Sequence, residues 1–177
     1  MSHMSEELVP HVDKLGNVLG SVTRSDAYKN GYVHMGTHGF MKRADGKILI
    51  QRRNTTKSSW PGCYDLSIAE TVKPNETFKE ALVRGLFEEL NITEIPQINV
   101  VREKYYQEYR YLAYLINGVI CLLEFEYNGK MQIDHDEVME ASFMSAEEIN
   151  QIISENPALC TPWLIADWEY YKEINSK

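Results

Sequence analysis

The sequence has few cysteines and lacks a long apolar run, and both absences narrow the class of protein. Among its 177 residues are three cysteines, Cys63, Cys121 and Cys160, an odd number without CxxC spacing. This pattern predicts reduced thiols in a cytoplasmic protein rather than a disulfide framework or a zinc site. No apolar stretch approaches the roughly 20 residues that a membrane helix needs, so we expect no membrane partner.

Positive charge is also scarce, with 18 Lys and Arg against 26 Asp and Glu and a formal net charge of −8. A negative protein attracts neither nucleic acid nor an anionic membrane through its overall field, so we expect neither as a partner. If the substrate is itself anionic, a bound cation or a local cluster of Lys and Arg must lie between substrate and protein. The sequence leaves the oligomeric state open, and a homodimer is one arrangement that it allows.

The length suits one domain, and the hydrophobic and charged fractions, 44% and 25%, are ordinary globular values. The first four residues, Met-Ser-His-Met, are typical of an expression-vector remnant. We therefore expect residues 1–6 to be a tag remnant and tail, and residues 7–177 to form a single domain.

Apolar and polar residues alternate, as in strands, along five segments. They are residues 7–24 and 32–53, each predicted as a hairpin, and residues 64–71, 99–107 and 111–127. Helices are predicted at residues 77–90, 145–154 and 162–175. The first of these has leucines at four-residue spacing behind the capping box Thr77 and Glu80. This order predicts an α+β or α/β sandwich around a mixed sheet.

The most informative stretch is ETVKPNETFKEALVRGLFEELNI, residues 70–92. Residues three and four apart share one helix face, so carboxylates at positions 85, 88 and 89 would converge on one hard cation. Mg²⁺ prefers such oxygen ligands and bridges to substrate phosphates. Here Glu88 and Glu89 are present and position 85 is a glycine. A solvated salt-bridge row of Glu80, Arg84 and Glu88 is the alternative explanation.

This stretch resembles the Nudix box: a glycine, five residues, a glutamate, seven residues, then Arg-Glu-apolar-x-Glu-Glu-x-Gly-apolar. Glu76, Arg84 and the pair Glu88-Glu89 stand at matching positions. Three positions depart from the box, since Glu70 replaces the first glycine, Gly85 the first helix glutamate and Asn91 the last glycine. A glycine inside a helix costs about 1 kcal/mol relative to alanine, so Gly85 indicates either a change at a catalytic site or a closely packed neighbour.

The resemblance implies a Nudix α/β/α sandwich around a mixed β-sheet. It also implies hydrolysis of a small diphosphate, of the nucleoside-diphosphate-linked type, with Mg²⁺ or Mn²⁺. Glu88 and Glu89 are then the metal ligands and catalytic residues, supported by Glu76 and Arg84. Since Gly85 cannot act as a base, Glu137, in the acidic segment 134–140, becomes the candidate base. An exposed acidic loop is the favoured alternative explanation of this segment.

Arg52, Arg53 and Lys57 are the candidate diphosphate-binding residues, because arginine binds phosphate with two parallel hydrogen bonds. A solvated strand end is an equally good explanation for them. His34 and His38, four residues apart on a predicted strand, lie on one face. For these histidines a packing role is favoured over a second metal site.

Residues 46–53, Lys57 and Trp60-Pro61-Gly62 resemble one branch of the family. That branch contains type I isopentenyl diphosphate isomerase and small bacterial Nudix hydrolases. The isomerase moves a proton with a cysteine and a histidine-rich metal cluster, whereas Ala69 and Thr71 stand at two of those positions here. Alanine cannot transfer a proton, so isomerase chemistry is the weaker alternative. A binding or regulatory module without turnover is the stronger one, favoured by Gly85.

Overall fold

The computed structural model describes residues 7–176, which contain nine strands, four α-helices and a short 3-10 helix at Pro157–Leu159. The strands are β1 (Leu8–Val12), β2 (Val18–Thr23), β3 (His34–Lys42), β4 (Ile48–Arg53), β5 (Tyr64–Asp65), β6 (Ile68–Thr71), β7 (Ile98–Tyr111), β8 (Tyr114–Glu126) and β9 (Val138–Met144). The helices are α1 (Arg24–Asn30), α2 (Phe78–Leu90), α3 (Ala146–Glu155) and α4 (Pro162–Asn175). The expected vector remnant in residues 1–6 lies outside the described residues. Within that described range, no helix is long and apolar enough to cross a membrane.

Strands β3 to β9 form one mixed sheet, and β1 and β2 form a separate antiparallel hairpin. The main order is β5-β4-β3-β8-β7, with β6 also paired to β3 and β9 to β4. The pairing of β3 with β8 is parallel, and the other pairings in this sheet are antiparallel. The mixed sheet expected from the sequence is therefore confirmed.

Helices cover both faces of this sheet. Neighbouring residues of a strand point to opposite faces, and apolar residues at successive positions therefore give each face its own core cluster. Met41 of β3 and Leu123 of β8 pack with the α2 leucines, whereas Phe40 and Leu122 pack with α3 and α4. The α2 leucines Leu82, Leu86 and Leu90 are almost fully buried. Burial of each of these side chains contributes roughly 1.5–3 kcal/mol to the free energy of folding. The expected α/β/α sandwich is confirmed.

The sheet forks between β4 and β6, which changes the second predicted hairpin. β3 pairs with β4 through Lys42 and Ile48 alone, and its earlier residues pair with β6 instead. Ser67 fills the fork, since its Oγ accepts from Met41 N at 2.7 Å and donates to Leu49 O at 2.6 Å. The hairpin is thus closed only at its turn, and a space opens where β4 and β6 separate.

Several other boundaries differ from the sequence-based expectation. The single strand predicted over residues 64–71 is interrupted at Leu66 and Ser67, and β7 continues to Tyr111, so that its turn falls at Leu112 and Ala113. Helix α1 and strand β9 were not predicted. The three predicted helices are confirmed to within one residue, each with its N-terminal cap.

Candidate active site

Arg84, in the middle of α2, holds three carboxylates at once. Its Nε and Nη2 donate to the two oxygens of Glu76 at 2.9 and 3.0 Å, a bidentate contact that fixes the guanidinium. Its Nη1 lies 2.8 Å from Glu70 Oε2 and 3.3 Å from Glu88 Oε2. Glu80 is not part of this network, because it caps the helix at Thr77. The simple row of Glu80, Arg84 and Glu88 is therefore not what the structure shows.

Glu89 is half-buried one turn along the same helix. Its Oε2 accepts a hydrogen bond from Gln51 Nε2 at 2.9 Å. Burial, and then the charge of Glu70, raises the pKa of Glu89 to about 8. Burial likewise raises the pKa of Glu70, although Arg84 opposes the shift. Two partly buried carboxylates thus disfavour each other's ionised form, a situation that a bound cation would relieve.

A cleft of about 430 Å³ opens in front of these carboxylates. It is lined by Arg84, Glu88 and Glu89 of α2, by Arg53 of β4, and by Lys57, Asp134 and Glu137 of two loops. Lys57 forms an ion pair with Glu137. The structure therefore brings the predicted metal-binding and catalytic glutamates together with two of the three predicted basic residues.

Arg52 is the residue that the structure does not bring to this cleft. Successive side chains of a strand alternate, so Arg52 lies on the other face of β4 from Arg53. Its guanidinium donates to Gly62 O at 3.2 and 3.1 Å and to Glu140 at 3.1 Å. The same alternation places Gln51 beside Arg53 in the cleft. Sequence reasoning missed Gln51, although a two-residue step from Arg53 would have indicated it.

A smaller chamber of about 80 Å³ adjoins the cleft and shares five lining residues with it, Arg24, Arg53, Ala69, Glu70 and Thr71. His34, His38 and Trp163 line its far side. His38 Nδ1 lies 2.5 Å from Asp167 Oδ2, and burial lowers the pKa of His34 to about 4. Both histidines are buried on the α4 side of the sheet, which agrees with the packing role expected for them.

Within residues 7–176, no group of three or more His, Cys, Asp or Glu side chains is spaced as a metal site. The donor chemistry is nevertheless that of a hard cation, because the cleft offers carboxylate oxygens and no thiolate. Glu88 is the adaptable member, since its side chain is 48% exposed and, among the residues that the structure describes, is held through Arg84. These residues fit Mg²⁺ or Mn²⁺ by ligand type.

The profile of the NUDIX domain matches residues 33–164, more than half of the chain. The chain belongs to the NUDIX domain family. Curated relatives include isopentenyl-diphosphate Delta-isomerase 1 of Photorhabdus laumondii, 26% identical over 92% of this chain and 93% of its own. A second, isopentenyl-diphosphate Delta-isomerase of Citrobacter koseri, is 27% identical over 92% and 90%.

Solved structures with the same fold include the protein DR0079 of Deinococcus radiodurans, with a TM-score of 0.66 at 20% identity. The alignment covers 84% of this chain and 90% of that one. The MutT protein of Methanosarcina mazei Go1 has a TM-score of 0.65 at 20% identity, over 82% and 96% of the two chains. At these identities, the likeness concerns the fold.

One departure from the Nudix box has a plain conformational reason in this NUDIX domain. Asn91 ends α2 in the left-handed region, with φ of 51°, and its N–H donates to Leu86 O and Phe87 O. Asparagine is the residue that best replaces glycine in this C-terminal position. The loss of the last box glycine therefore leaves the end of the helix intact.

Proposed function

We propose that this NUDIX domain hydrolyses a small diphosphate, of the nucleoside-diphosphate-linked type, with Mg²⁺ or Mn²⁺ as cofactor. The observation that supports this is the cleft itself. Carboxylates of α2 and the basic side chains of Arg53 and Lys57 line the same cleft. A cation bound by the carboxylates, together with Arg53 and Lys57, would supply local positive charge for a diphosphate in a protein whose formal net charge is −8.

Each residue of the cleft has a role in this proposal. Glu88 and Glu89 hold the cation, which, when bound, neutralises charge on the phosphate oxygens. Arg53 uses three of its five N–H donors on Asp65 and on Ser59 O, which orients it and leaves two for phosphate. Lys57 adds a second positive charge, and Glu137 beside it is the candidate base for the attacking water.

The size of the chamber indicates where the organic part of the substrate lies. At about 80 Å³ the chamber is smaller than the roughly 150 Å³ that admits a benzene ring. A nucleobase therefore belongs in the open cleft of about 430 Å³ rather than in the chamber. We further propose a cytoplasmic location, in keeping with the three free thiols, and neither a nucleic-acid nor a membrane partner.

Isomerase chemistry has less support, although curated relatives have that name. Ala69 and Thr71 line both the cleft and the chamber, and neither supplies a thiol or an imidazole there. None of the chain's three cysteines lines either space, and burial raises the pKa of each of these thiols. A thiol-mediated proton transfer therefore has no donor at the site.

A binding module without turnover is the second candidate, because no carboxylate projects from α2 at Gly85. The NUDIX domain of Shewanella oneidensis NrtR, solved with ADP ribose, shares the fold at 14% identity, with a TM-score of 0.58 over 78% of this chain and 86% of its own. Binding of a diphosphate compound without its cleavage would favour this candidate.

The test is a panel of diphosphates incubated with Mg²⁺ or Mn²⁺, followed by phosphate release and product separation. The panel contains nucleoside diphosphate sugars, dinucleoside polyphosphates and isopentenyl diphosphate. We expect cleavage of a nucleotide compound that Glu89→Gln abolishes and that the exposed control Glu94→Gln leaves unchanged. A dimethylallyl product from isopentenyl diphosphate would instead show isomerase activity. If no compound of the panel gave a product, the proposal of a hydrolase would be wrong.

A further inference from the structure

Glu70 and Gly85 compete for one volume between β6 and α2. A Cβ added to Gly85 would lie 2.6 Å from Glu70 Cγ, 3.1 Å from Glu70 Oε1 and 2.9 Å from Ile68 Cγ2. Side-chain carbons do not approach other heavy atoms this closely without displacement. A full side chain at position 85 is therefore incompatible with Glu70 in its present place. This close packing is the physical reason for a glycine in the middle of the helix.

The two residues are also exchanged in sequence. The Nudix box has glycine at the position of Glu70 and glutamate at the position of Gly85, and this chain has the reverse. Each arrangement puts one glutamate into the shared volume, so the two departures are not independent losses. In one arrangement the carboxylate comes from the helix, and in this chain it comes from the neighbouring strand.

The Glu70 carboxylate ends among the residues of the proposed metal site. Its side chain is only 15% exposed, and its Oε2 accepts from Arg84 Nη1 at 2.8 Å. The same Nη1 lies 3.3 Å from Glu88 Oε2, so Arg84 holds both carboxylates on one side of the cleft. Glu70 lines this cleft together with Glu88 and Glu89.

We propose that Glu70 is the third carboxylate of the metal site and replaces, from β6, the glutamate that α2 lacks at Gly85. This inference rests on the proposed hydrolase. It also means that the box of this chain has been rearranged rather than damaged. The number of carboxylates at the cleft is kept, and only the element that supplies one of them has changed.

A cycle of three variants tests the shared volume by thermal denaturation without metal. Gly85→Glu alone forces two side chains into one space, and we expect its midpoint to fall by roughly 5 °C. Glu70→Gly removes two of the three close contacts, so the double variant Glu70→Gly/Gly85→Glu should recover most of that loss. Additive effects of the two changes on the thermal midpoint would show that the residues do not compete for space. That result would contradict the proposal that Glu70 replaces a glutamate at position 85.

Calorimetric titration with Mg²⁺ and Mn²⁺ tests the ligand role in the same proteins. Glu70→Gln, which preserves shape, should weaken cation binding at least about tenfold, as should Glu70→Gly. The double variant Glu70→Gly/Gly85→Glu should bind like the wild type. The double variant Glu70→Gly/Gly85→Gln, which has an uncharged side chain at position 85, should recover the thermal midpoint but not the cation affinity. The control Glu94→Gln should change neither the midpoint nor the affinity.

The outcomes separate this inference from the function on which it rests. If Glu89→Gln loses the cation and both Glu70 variants retain it, Glu70 is not a ligand, and the proposed hydrolase is unaffected. If the wild type itself binds neither Mg²⁺ nor Mn²⁺, the metal-dependent function and the role of Glu70 are both wrong.

Discussion

Replacing Asp65 by asparagine should disrupt the wall of the cleft that presents Arg53. The Asp65 side chain is 5% exposed and binds donors on both of its oxygens. Oδ1 accepts from Trp163 Nε1 at 2.6 Å and from Thr161 Oγ1 at 3.1 Å, and Oδ2 accepts from Arg53 Nη1 at 2.9 Å. Asparagine has one oxygen and one NH₂ group. In either orientation its NH₂ would therefore face a donor.

The expected loss of stability is large because the Arg53 guanidinium, which is only 16% exposed, would lose its carboxylate partner. Removing one member of a buried ion pair typically costs about 3–5 kcal/mol. In a chain of this length each kcal/mol lowers the thermal midpoint by roughly 2–4 °C, so we expect a decrease of roughly 6–20 °C for Asp65→Asn. Diphosphate binding should weaken as well, since Arg53 loses the contact that orients it.

Asp45→Asn is the matched control, because Asp45 pairs with Arg43 in the same chemistry but at the surface. The two side chains are 45% and 41% exposed. Solvent screens such a pair, so its removal should leave the midpoint unchanged within error. The measurement is thermal denaturation followed by circular dichroism, with a urea titration as a second estimate. Equal midpoints for Asp65→Asn and Asp45→Asn would refute the buried-pair reasoning.

Three further predictions concern stability. The pKa of His34 is about 4 in the folded state against 6.5 for a free imidazole. The unfolded chain therefore binds the proton first, so the contribution of neutral His34 to the free energy of unfolding should be complete above pH 6.5 and should fall by about 3 kcal/mol as the pH drops to 4. His34→Gln should flatten this slope in urea titrations at several pH values, and the exposed His135→Gln should not. Asn91→Gly should leave the thermal midpoint equal or higher, since glycine adopts positive φ without strain, and a clear decrease would contradict the conformational explanation. Thr77→Ala should cost about 1 kcal/mol by removing the cap of α2, and an unchanged midpoint would mean that the helix start is held by other contacts.

The parts of the fold that the sequence predicts are those decided by nearby residues. Helix α2 is an example, because its capping box and its leucine spacing both lie within the segment itself. Helices α3 and α4 were predicted for the same reason. The short helix α1 was missed, since its seven residues contain only two buried side chains, Ala27 and Tyr28, and therefore show no apolar repeat.

The parts that the sequence does not predict depend on contacts between distant segments. The fork of the sheet is one such case, because Ser67 bridges Met41 and Leu49 from two other strands. The link between Glu70 and Gly85 is another, since nothing local shows that a strand side chain lies over the helix. The sequence showed Glu70 and Gly85 as separate departures from a motif, and the structure places both in one volume.

Alternation along β4 explains the remaining difference in the site. Arg52 and Arg53 are adjacent and chemically alike, so the sequence grouped them, whereas the strand directs them to opposite faces. Gln51 and Arg53 share the cleft because they are two residues apart. The proposed metal-binding pair Glu88 and Glu89 was easier to place, since the helix and its spacing were both evident.

Trp163, which lines the chamber, gives this protein an internal fluorophore next to its cleft. Trp163 lies 4.9 Å from Trp60 in an edge-on arrangement, and Arg53 is 5.6 Å from its ring. Trp168, by contrast, is buried among Phe40 and Tyr171. Indole emission depends on nearby charge and water, so a diphosphate that binds at Arg53, as proposed, should change the fluorescence of Trp163 and Trp60, whereas Trp168 should give a constant background. The intrinsic fluorescence of the unlabelled protein is therefore a direct measurement with which to test diphosphate binding at Arg53.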